Sequence, residues 1–162
     1  MTTTATDTQF GNIDNIDPSA RINAFVDYAL NTYSIDESKL YFTGWSQGGF
    51  LSFQYAIDHA DRVAAIISVS GGLAVDPNNL PDNFCNIEDV PIWALHGNID
   101  EVVTVESSID SIALIEVNCQ PKILPRLSIL QERNHLIHHA VFNLSAMKGG
   151  SLGVVSDPSF DA

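Results

Sequence analysis

The sequence predicts an α/β fold with a mostly parallel sheet of about four strands and helices on both faces. Three observations support this class. Helical and strand patterns alternate along the chain, which is typical of parallel sheets with helical connections. Residues 63–69 (VAAIISV) form a continuous apolar run, as expected for a strand buried on both faces. Glycines follow three of the predicted strands, at Gly44, Gly71 and Gly97.

The predicted elements begin at Asp17 and Pro18, residue types preferred at a helix N-cap and in its first turn. Apolar residues at helical spacing then predict a helix over residues 18–33. The other predicted helices cover residues 47–59, 105–117 and 136–147. The predicted strands cover residues 39–43, 63–69, 91–96 and 123–130, and Pro125 interrupts the last of them.

The length of 162 residues predicts one domain. We place it at residues 17–148, between an N-terminal arm of residues 1–16, rich in Thr, Asp and Asn, and a Gly- and Ser-rich tail of residues 149–162. With 45% apolar and 17% charged residues, the composition excludes an intrinsically disordered protein.

The protein is acidic, with 20 Asp and Glu against 7 Lys and Arg and a formal net charge of −13. Such a charge repels phosphate backbones and anionic lipids, so neither a nucleic-acid nor a membrane partner is expected. No apolar run is long enough to span a membrane, and the first twenty residues lack the features of a signal peptide. A cytoplasmic location is the default expectation.

The most informative motif is Gly-Trp-Ser-Gln-Gly-Gly at residues 44–49, between a predicted strand and a predicted helix. In this context Gly-x-Ser-x-Gly is typical of a nucleophile elbow, a sharp turn that exposes the hydroxyl of Ser46. We expect Gly44 and Gly48 to be required because side chains there would clash. The Gln47 backbone N–H, at the start of the helix, is the predicted donor to an oxyanion.

A serine nucleophile needs a base, and the base needs a third group to orient it. Enzymes with this elbow carry the acid and then the histidine later in the chain. Asp100 follows the predicted strand 91–96 and is the predicted acid, with capping of the next helix as its alternative role. Glu106 and Asp110 lie on that helix and are expected to face solvent.

His135 is the predicted base because it comes first in the loop after the strand over residues 123–130. His138 and His139 are expected within the following helix. His59 is expected at a helix end and His96 in a structural role. His135 and His139 have the spacing of zinc ligands on a helix, but the catalytic Glu of that motif is absent and no clear third ligand follows. We therefore expect neither a metal nor a cofactor.

Several stretches together resemble serine esterases of the α/β-hydrolase superfamily, in particular the polyhydroxybutyrate-depolymerase-like and feruloyl-esterase-like branch. They are residues 35–44 (IDESKLYFTG), 45–49 (WSQGG), 61–66 (DRVAAI), 70–72 (SGG), 91–97 (PIWALHG) and 100–103 (DEVV). The Ser-Gln-Gly-Gly form is also similar to carboxylesterases of the acyl-protein thioesterase type. The resemblance covers about residues 18–147 and implies Ser46 as nucleophile, Asp100 as acid and His135 as base.

The chain departs from this family in two places. Asn134 stands where the family usually has Gly before the base, and His138 and His139 stand where it often has Trp. The family's full fold has four strands before the helix that precedes the elbow, whereas about 17 residues stand there in this chain. The resemblance therefore implies a truncated α/β-hydrolase fold.

The second oxyanion donor of the family comes from this front half. Loss of one donor lowers the rate on the order of 100- to 1,000-fold. The Trp45 side chain and the backbone of residues 1–16 are the local candidates to replace it. The strand over residues 39–43 would also form an open apolar edge, which predicts a homodimer or higher oligomer that covers it. The alternative is that the N-terminal arm folds back over this edge.

Cys85 and Cys119 each precede a predicted strand, so they are expected at the same end of a parallel sheet. A disulfide there is geometrically plausible and would indicate a secreted or periplasmic protein. Two free thiols in the cytoplasm are the alternative.

The sequence thus predicts a serine carboxylesterase that hydrolyses short-chain, small-molecule esters through an acyl-enzyme. No insertion is long enough to build a lid over a large lipid pocket. The alternatives are a non-catalytic remnant of the fold, or one half of a split hydrolase that needs a partner chain.

Overall fold

The computed structural model describes residues 17–142. The predicted arm of residues 1–16 and tail of residues 149–162 lie outside this range. The described residues divide into two compact units, with the boundary between Glu37 and Ser38. No helix within residues 17–142 combines the length and hydropathy needed to cross a membrane.

The first unit contains helix α1, Pro18–Thr32. Pro18 occupies the first turn, where its missing N–H costs no hydrogen bond. The Asp17 carboxylate accepts a hydrogen bond from the Ala20 N–H at 3.3 Å and so caps the helix. The predicted helix and its N-cap are confirmed, with the end one residue earlier than expected.

The second unit contains a four-stranded parallel sheet in the order β1-β2-β3-β4. The strands are β1 (Tyr41–Trp45), β2 (Ala65–Val69), β3 (Ile92–Gly97) and β4 (Arg126–Leu130). One row of residues shows the register across the sheet. It contains Thr43 on β1, Ile67 on β2, Trp93 on β3 and Arg126 on β4. The predicted α/β class with a parallel sheet is confirmed.

The first and last strands show the largest differences from the prediction, two residues at each end of β1 and three at the start of β4. Lys39 belongs to a short 3₁₀ turn, Glu37–Lys39, and β1 continues to Trp45. β4 begins at Arg126 and not at residue 123, because Pro125 has no N–H to donate to a neighbouring strand.

Two helices cover one face of the sheet. α2 (Gln47–Asp58) packs on β1 and β2, and α3 (Glu106–Cys119) packs on β3 and β4. Their apolar side chains form a core with those of the strands. Its fully buried members include Phe53, Ile57, Ile66, Ala94 and Ile115. Burial of each large apolar side chain stabilises the fold by about 1.5–3 kcal/mol.

The other face of the sheet packs against a 3₁₀ turn, His135–Ile137, and the short helix α4, His138–Val141. The predicted helix over residues 136–147 is therefore shorter at its start, and residues 143–147 lie outside the described range. Because all four strands run in parallel, their carboxyl ends meet at one edge of the sheet. The segments that follow β1, β3 and β4 there carry Ser46, Asp100 and His135.

Candidate active site

Ser46 lies in a sharp turn between β1 and α2. Its φ of 56° and ψ of −118° are rarely adopted by residues other than glycine. Such backbone strain is on the order of 1–3 kcal/mol and persists only where neighbouring contacts hold it. Here the Ser46 N–H donates to the Val69 carbonyl at 2.8 Å. The Ser46 carbonyl accepts from the N–H groups of Gly49 and Phe50 at 2.8 and 3.1 Å.

The glycines of this turn differ in what they make room for. A Cβ at Gly44 would overlap the backbone of Gly48, so the turn needs glycine at position 44. A Cβ at Gly48 would meet nothing within 4 Å, because it would point into open space. The prediction of a clash there is wrong. Gly49, and not Gly48, is closely packed, because a Cβ at Gly49 would lie 2.7 Å from Ser68 Oγ and 3.1 Å from Gly71 Cα.

The Gln47 N–H lies directly after Ser46, at the first position of α2. The first four N–H groups of an α-helix have no carbonyl partner within the helix, and the helix dipole makes this end attractive to negative charge. The turn therefore offers a backbone donor beside the serine hydroxyl, at the position predicted from the sequence.

Asp100 and His135 form a buried hydrogen-bonded pair. His135 Nδ1 lies 2.7 Å from Asp100 Oδ2. Asp100 is only 6% exposed and His135 only 9%. Asp100 Oδ1 accepts hydrogen bonds from the N–H groups of Val102 and Val103, both at 2.9 Å. Burial raises the pKa of Asp100, but these hydrogen bonds and the charge of His135 together hold it below its usual value. Asp100 is therefore a carboxylate at neutral pH.

Trp45 ties the base to the serine turn. Its indole Nε1–H donates to the backbone carbonyl of His135 at 2.7 Å, and the two rings lie 5.0 Å apart. The Asn134 side chain accepts from the Leu136 N–H and shapes the turn that carries His135. Within residues 17–142, the Ser46 hydroxyl makes no hydrogen bond to His135. Such bonds are often loose in ligand-free enzymes and tighten when substrate binds.

The indole bond has a consequence for the predicted oxyanion hole. Since the only N–H of the Trp45 side chain already donates to His135, it is not free to bind an oxyanion. The prediction that Trp45 could replace the second donor is wrong. The other candidate, the backbone of residues 1–16, lies outside the described range.

This serine turn, buried acid–base pair and parallel sheet agree with the comparison to known protein families. The profile of the phospholipase/carboxylesterase family matches residues 6–140. The chain belongs to this family. It lies within the α/β-hydrolase superfamily that the sequence resembles.

Solved structures of esterases are similar to this family member. A thermostable esterase is 25% identical with a TM-score of 0.60, and the match covers 76% of this chain and 30% of that one. Esterase PE8 is 26% identical with a TM-score of 0.57, and coverage is 74% and 53%. A phospholipase/carboxylesterase from Dyadobacter fermentans, 24% identical with a TM-score of 0.57, shares the fold over 74% and 55%. None of the curated protein sequences compared with the chain matches it.

The chain therefore spans about half, or less, of the length of these esterases. Residues 6–140, which match the family profile, contain the nucleophile turn and the four strands of the described sheet. The described residues therefore correspond to part of the α/β-hydrolase fold.

The other histidines lie close to the candidate site. His96 is fully buried below Asp100, with its Nε2 3.2 Å from Asp100 Oδ2. His138 stacks on Trp45 at 4.1 Å, and its buried Nδ1 has no hydrogen-bond partner among residues 17–142. Burial and the nearby charges of His139 and His135 lower the pKa of His138. His59 ends α2 and stacks on Tyr55, as expected of a residue at a helix end.

Sequence reasoning missed two of these contacts, those of His96 with the acid and of Trp45 with the base. The first had a signal, since His96 and Asp100 are four residues apart across one strand end. The second had none, because 90 residues separate the two partners. Within the described residues, no cluster of three or more His, Cys, Asp or Glu side chains has the arrangement of a metal site.

Cys85 and Cys119 form a disulfide with Cα atoms 5.1 Å apart. Cys85 lies in a 3₁₀ segment, Phe84–Asp89, that precedes β3, and Cys119 is the last residue of α3. The bond therefore joins two segments near the amino ends of β3 and β4. It lies at the opposite edge of the sheet from Ser46, Asp100 and His135.

Proposed function

We propose that the chain is a serine carboxylesterase in which Ser46 is the nucleophile, His135 the base and Asp100 the acid. The buried hydrogen bond between Asp100 and His135 carries this proposal, because it lies at the sheet edge where the strained turn presents Ser46. Membership of the phospholipase/carboxylesterase family supports the same reaction class.

The direction of the acid–base hydrogen bond determines the chemistry. An ionised carboxylate only accepts, so the proton of the neutral imidazole is on Nδ1 and the lone pair is on Nε2. His135 Nε2 can then take the hydroxyl proton as Ser46 attacks the ester carbonyl. Asp100 stabilises the imidazolium that forms. His135 returns the proton to the leaving alkoxide, which departs as an alcohol.

The remaining acyl-enzyme is hydrolysed by the same groups. Water loses a proton to His135 Nε2 and attacks the acyl carbonyl, and the proton then returns to Ser46 as the carboxylic acid leaves. In both steps the Gln47 N–H stabilises the negative charge on the carbonyl oxygen. A site in which the Gln47 N–H is joined by no second donor would be about 100- to 1,000-fold slower than a site with two. Among residues 17–142, Gln47 supplies the proposed donor.

Short acyl chains are the proposed substrates. The segments that follow β1, β3 and β4 are short in this structure: Ser46 leads directly into α2, residues 98–105 lead into α3, and residues 131–134 lead into the turn at His135. None of these segments is long enough to fold over a large apolar pocket. Small esters that are open to water fit such a site best.

Hydrolysis of p-nitrophenyl acetate and p-nitrophenyl laurate by the purified chain tests the proposal. We expect turnover of the acetate, much slower turnover of the laurate, and no turnover of either by Ser46→Ala. The control is Ser52→Ala, which removes a hydroxyl bonded to the Gly48 carbonyl one turn along the same helix. Equal turnover by the wild type and Ser46→Ala would contradict the role of Ser46. No turnover by the wild type would contradict the proposal and favour the remnant or split-enzyme alternatives.

We also propose that two copies associate through β1. Among the described strands, β1 pairs only with β2, and Tyr41 at its start is 68% exposed. An edge strand with unpaired backbone groups favours pairing with another chain. Sedimentation equilibrium should therefore give a dimer mass that falls when Thr43→Pro removes an N–H from this edge strand. A monomer at all concentrations would contradict this proposal.

A further inference from the structure

The strongest unassigned feature is His96, a fully buried histidine directly below the acid of the candidate site. Its Nε2 lies 2.9 Å from the Val103 carbonyl oxygen and 3.2 Å from Asp100 Oδ2. Its Nδ1 lies 2.7 Å from the Ser108 hydroxyl on α3. A polar ring in the apolar core between β3 and α3 is costly unless its hydrogen bonds are made.

The contacts of His96 establish where its proton is. Both partners of Nε2, a carbonyl oxygen and a carboxylate oxygen, can only accept hydrogen bonds. Nε2 must therefore carry a hydrogen. The Ser108 hydroxyl has one proton and lies 2.7 Å from Nδ1 and 2.8 Å from the Gly71 carbonyl. Whichever of these accepts that proton, Nε2 remains a donor.

This donor holds the backbone segment that donates to the acid, and it lies close to the acid itself. The Val103 N–H donates to Asp100 Oδ1, and the Val103 carbonyl accepts from His96 Nε2, which also faces Asp100 Oδ2. The carboxylate thus accepts hydrogen bonds from the N–H groups of residues 102 and 103 and from His135, and His96 Nε2 is a further polar neighbour, 3.2 Å from Oδ2. Because His96 belongs to β3, its contact links the carboxylate to the sheet.

A second chain of contacts leads from His96 towards the nucleophile. The Ser108 hydroxyl also reaches the Gly71 carbonyl, and a Cβ at Gly71 would lie 2.9 Å from the backbone of Gly49. Gly49 in turn donates to the Ser46 carbonyl. The same buried histidine therefore contacts the acid directly and, through one serine, the loop packed on the nucleophile turn.

We propose that His96 is a positioning residue that holds the Asp100 carboxylate in the orientation that meets His135 Nδ1. The proposal rests on the proposed function, in which this pair is the acid and base. Without the Nε2 donor, the Val103 carbonyl loses its hydrogen bond, and the segment whose N–H groups donate to Oδ1 is held less firmly. Oδ2 also loses the N–H that lies 3.2 Å from it. A misplaced acid then orients the base poorly, and small displacements of this kind lower rates up to about 100-fold.

Two substitutions separate the roles of the ring nitrogens. In His96→Gln the side-chain amide can occupy the place of Nε2 and donate to the Val103 carbonyl beside Asp100. In His96→Asn the shorter amide reaches the place of Nδ1 and Ser108 but leaves no donor below the acid. We expect the Gln variant to keep kcat within about threefold of wild type. The Asn variant should lose about 10- to 100-fold in kcat with KM within twofold.

Ser128→Ala is the control for loss of a partly buried hydrogen bond in the same sheet, since Ser128 accepts from the Trp93 indole and is not among the described hydrogen-bond partners of Asp100. It should keep the wild-type kcat. Equal loss of kcat in the Gln and Asn variants, or no loss in Asn, would overturn the proposal.

Proton NMR tests the proposal without any esterase activity. The hydrogen-bonded Nδ1 proton of His135 should give a resonance far downfield in wild type and His96→Gln, shifted or lost in His96→Asn. An unchanged resonance in the Asn variant would overturn the proposal. In the wild type, a long-range ¹H–¹⁵N correlation should show His96 Nε2 protonated, and an unprotonated Nε2 would overturn it as well. Failure of ester hydrolysis alone would count against the proposed function only.

Discussion

Replacing Asp100 with Asn tests the acid of the proposed triad while changing the side-chain volume little. The carboxylate accepts from the N–H groups of residues 102 and 103 at Oδ1 and from His135 at Oδ2, and the N–H of His96 Nε2 also lies beside Oδ2, at an N···O distance of 3.2 Å. An asparagine has one oxygen and one NH₂ group, so one pair of donors must face an NH₂. Both orientations of the amide are therefore unfavourable.

If the NH₂ faces the backbone, two buried N–H groups lose their acceptor, at about 1–3 kcal/mol each. If it faces the imidazoles, His135 must accept at Nδ1 and carry its proton on Nε2. His135 then cannot take the proton of Ser46. The second orientation leaves both backbone bonds intact, so we expect it to predominate, with kcat about 10,000-fold lower, as for the same change in other serine hydrolases.

The assay is the initial rate of p-nitrophenyl acetate hydrolysis, with urea unfolding of the same samples to show that the variant folds. Asp110→Asn is the matched control, because Asp110 is an exposed carboxylate on α3. It should keep the wild-type rate. A rate for Asp100→Asn within tenfold of wild type would refute the reasoning that this carboxylate fixes the tautomer of His135.

Three further predictions follow from other contacts. Trp45→Phe removes the donor to the His135 carbonyl and should lower kcat about tenfold and stability by about 1 kcal/mol, measured by ester hydrolysis and urea unfolding. The disulfide closes a loop of 34 residues, so reducing it should lower the free energy of unfolding by about 4 kcal/mol. A change below about 1 kcal/mol would contradict this. Folding lowers the pKa of His138. As the pH falls, the unfolded chain therefore binds a proton at His138 at a higher pH than the folded chain does, and wild-type stability should fall as the pH drops below about 6.5. His138→Phe should lose less stability between pH 7.5 and 5.5.

Much of the fold could be predicted because its signals are local. The apolar run before Gly71, the glycine turns after the strands, and Asp17 with Pro18 at the start of α1 each depend on a few neighbouring residues. The β4 start was predicted too early, at residue 123, because the apolar residues before Pro125 resemble a strand. In the structure Ile123 and Leu124 are exposed, which a hydrophobicity pattern does not reveal.

The features of the candidate site likewise fall into those with local sequence signals and those that depend on tertiary structure. The order of Ser46, Asp100 and His135 along the chain could be predicted, because each follows a recognisable strand. The expected clash at Gly48 was wrong, because the direction of a Cβ in a strained turn depends on backbone angles that the sequence does not give. The bond from Trp45 to His135 was missed for a similar reason, since it depends on how distant segments meet.

Covalent labelling of Ser46 tests the central claim most directly. A fluorophosphonate reacts with a serine only when a neighbouring base activates it, and it needs no knowledge of the natural ester. The account predicts that the purified chain gains one label, that peptide mapping places it on Ser46, and that Ser46→Ala and His135→Gln remain unlabelled. An unlabelled wild type, or labelling that persists in Ser46→Ala, would contradict the account.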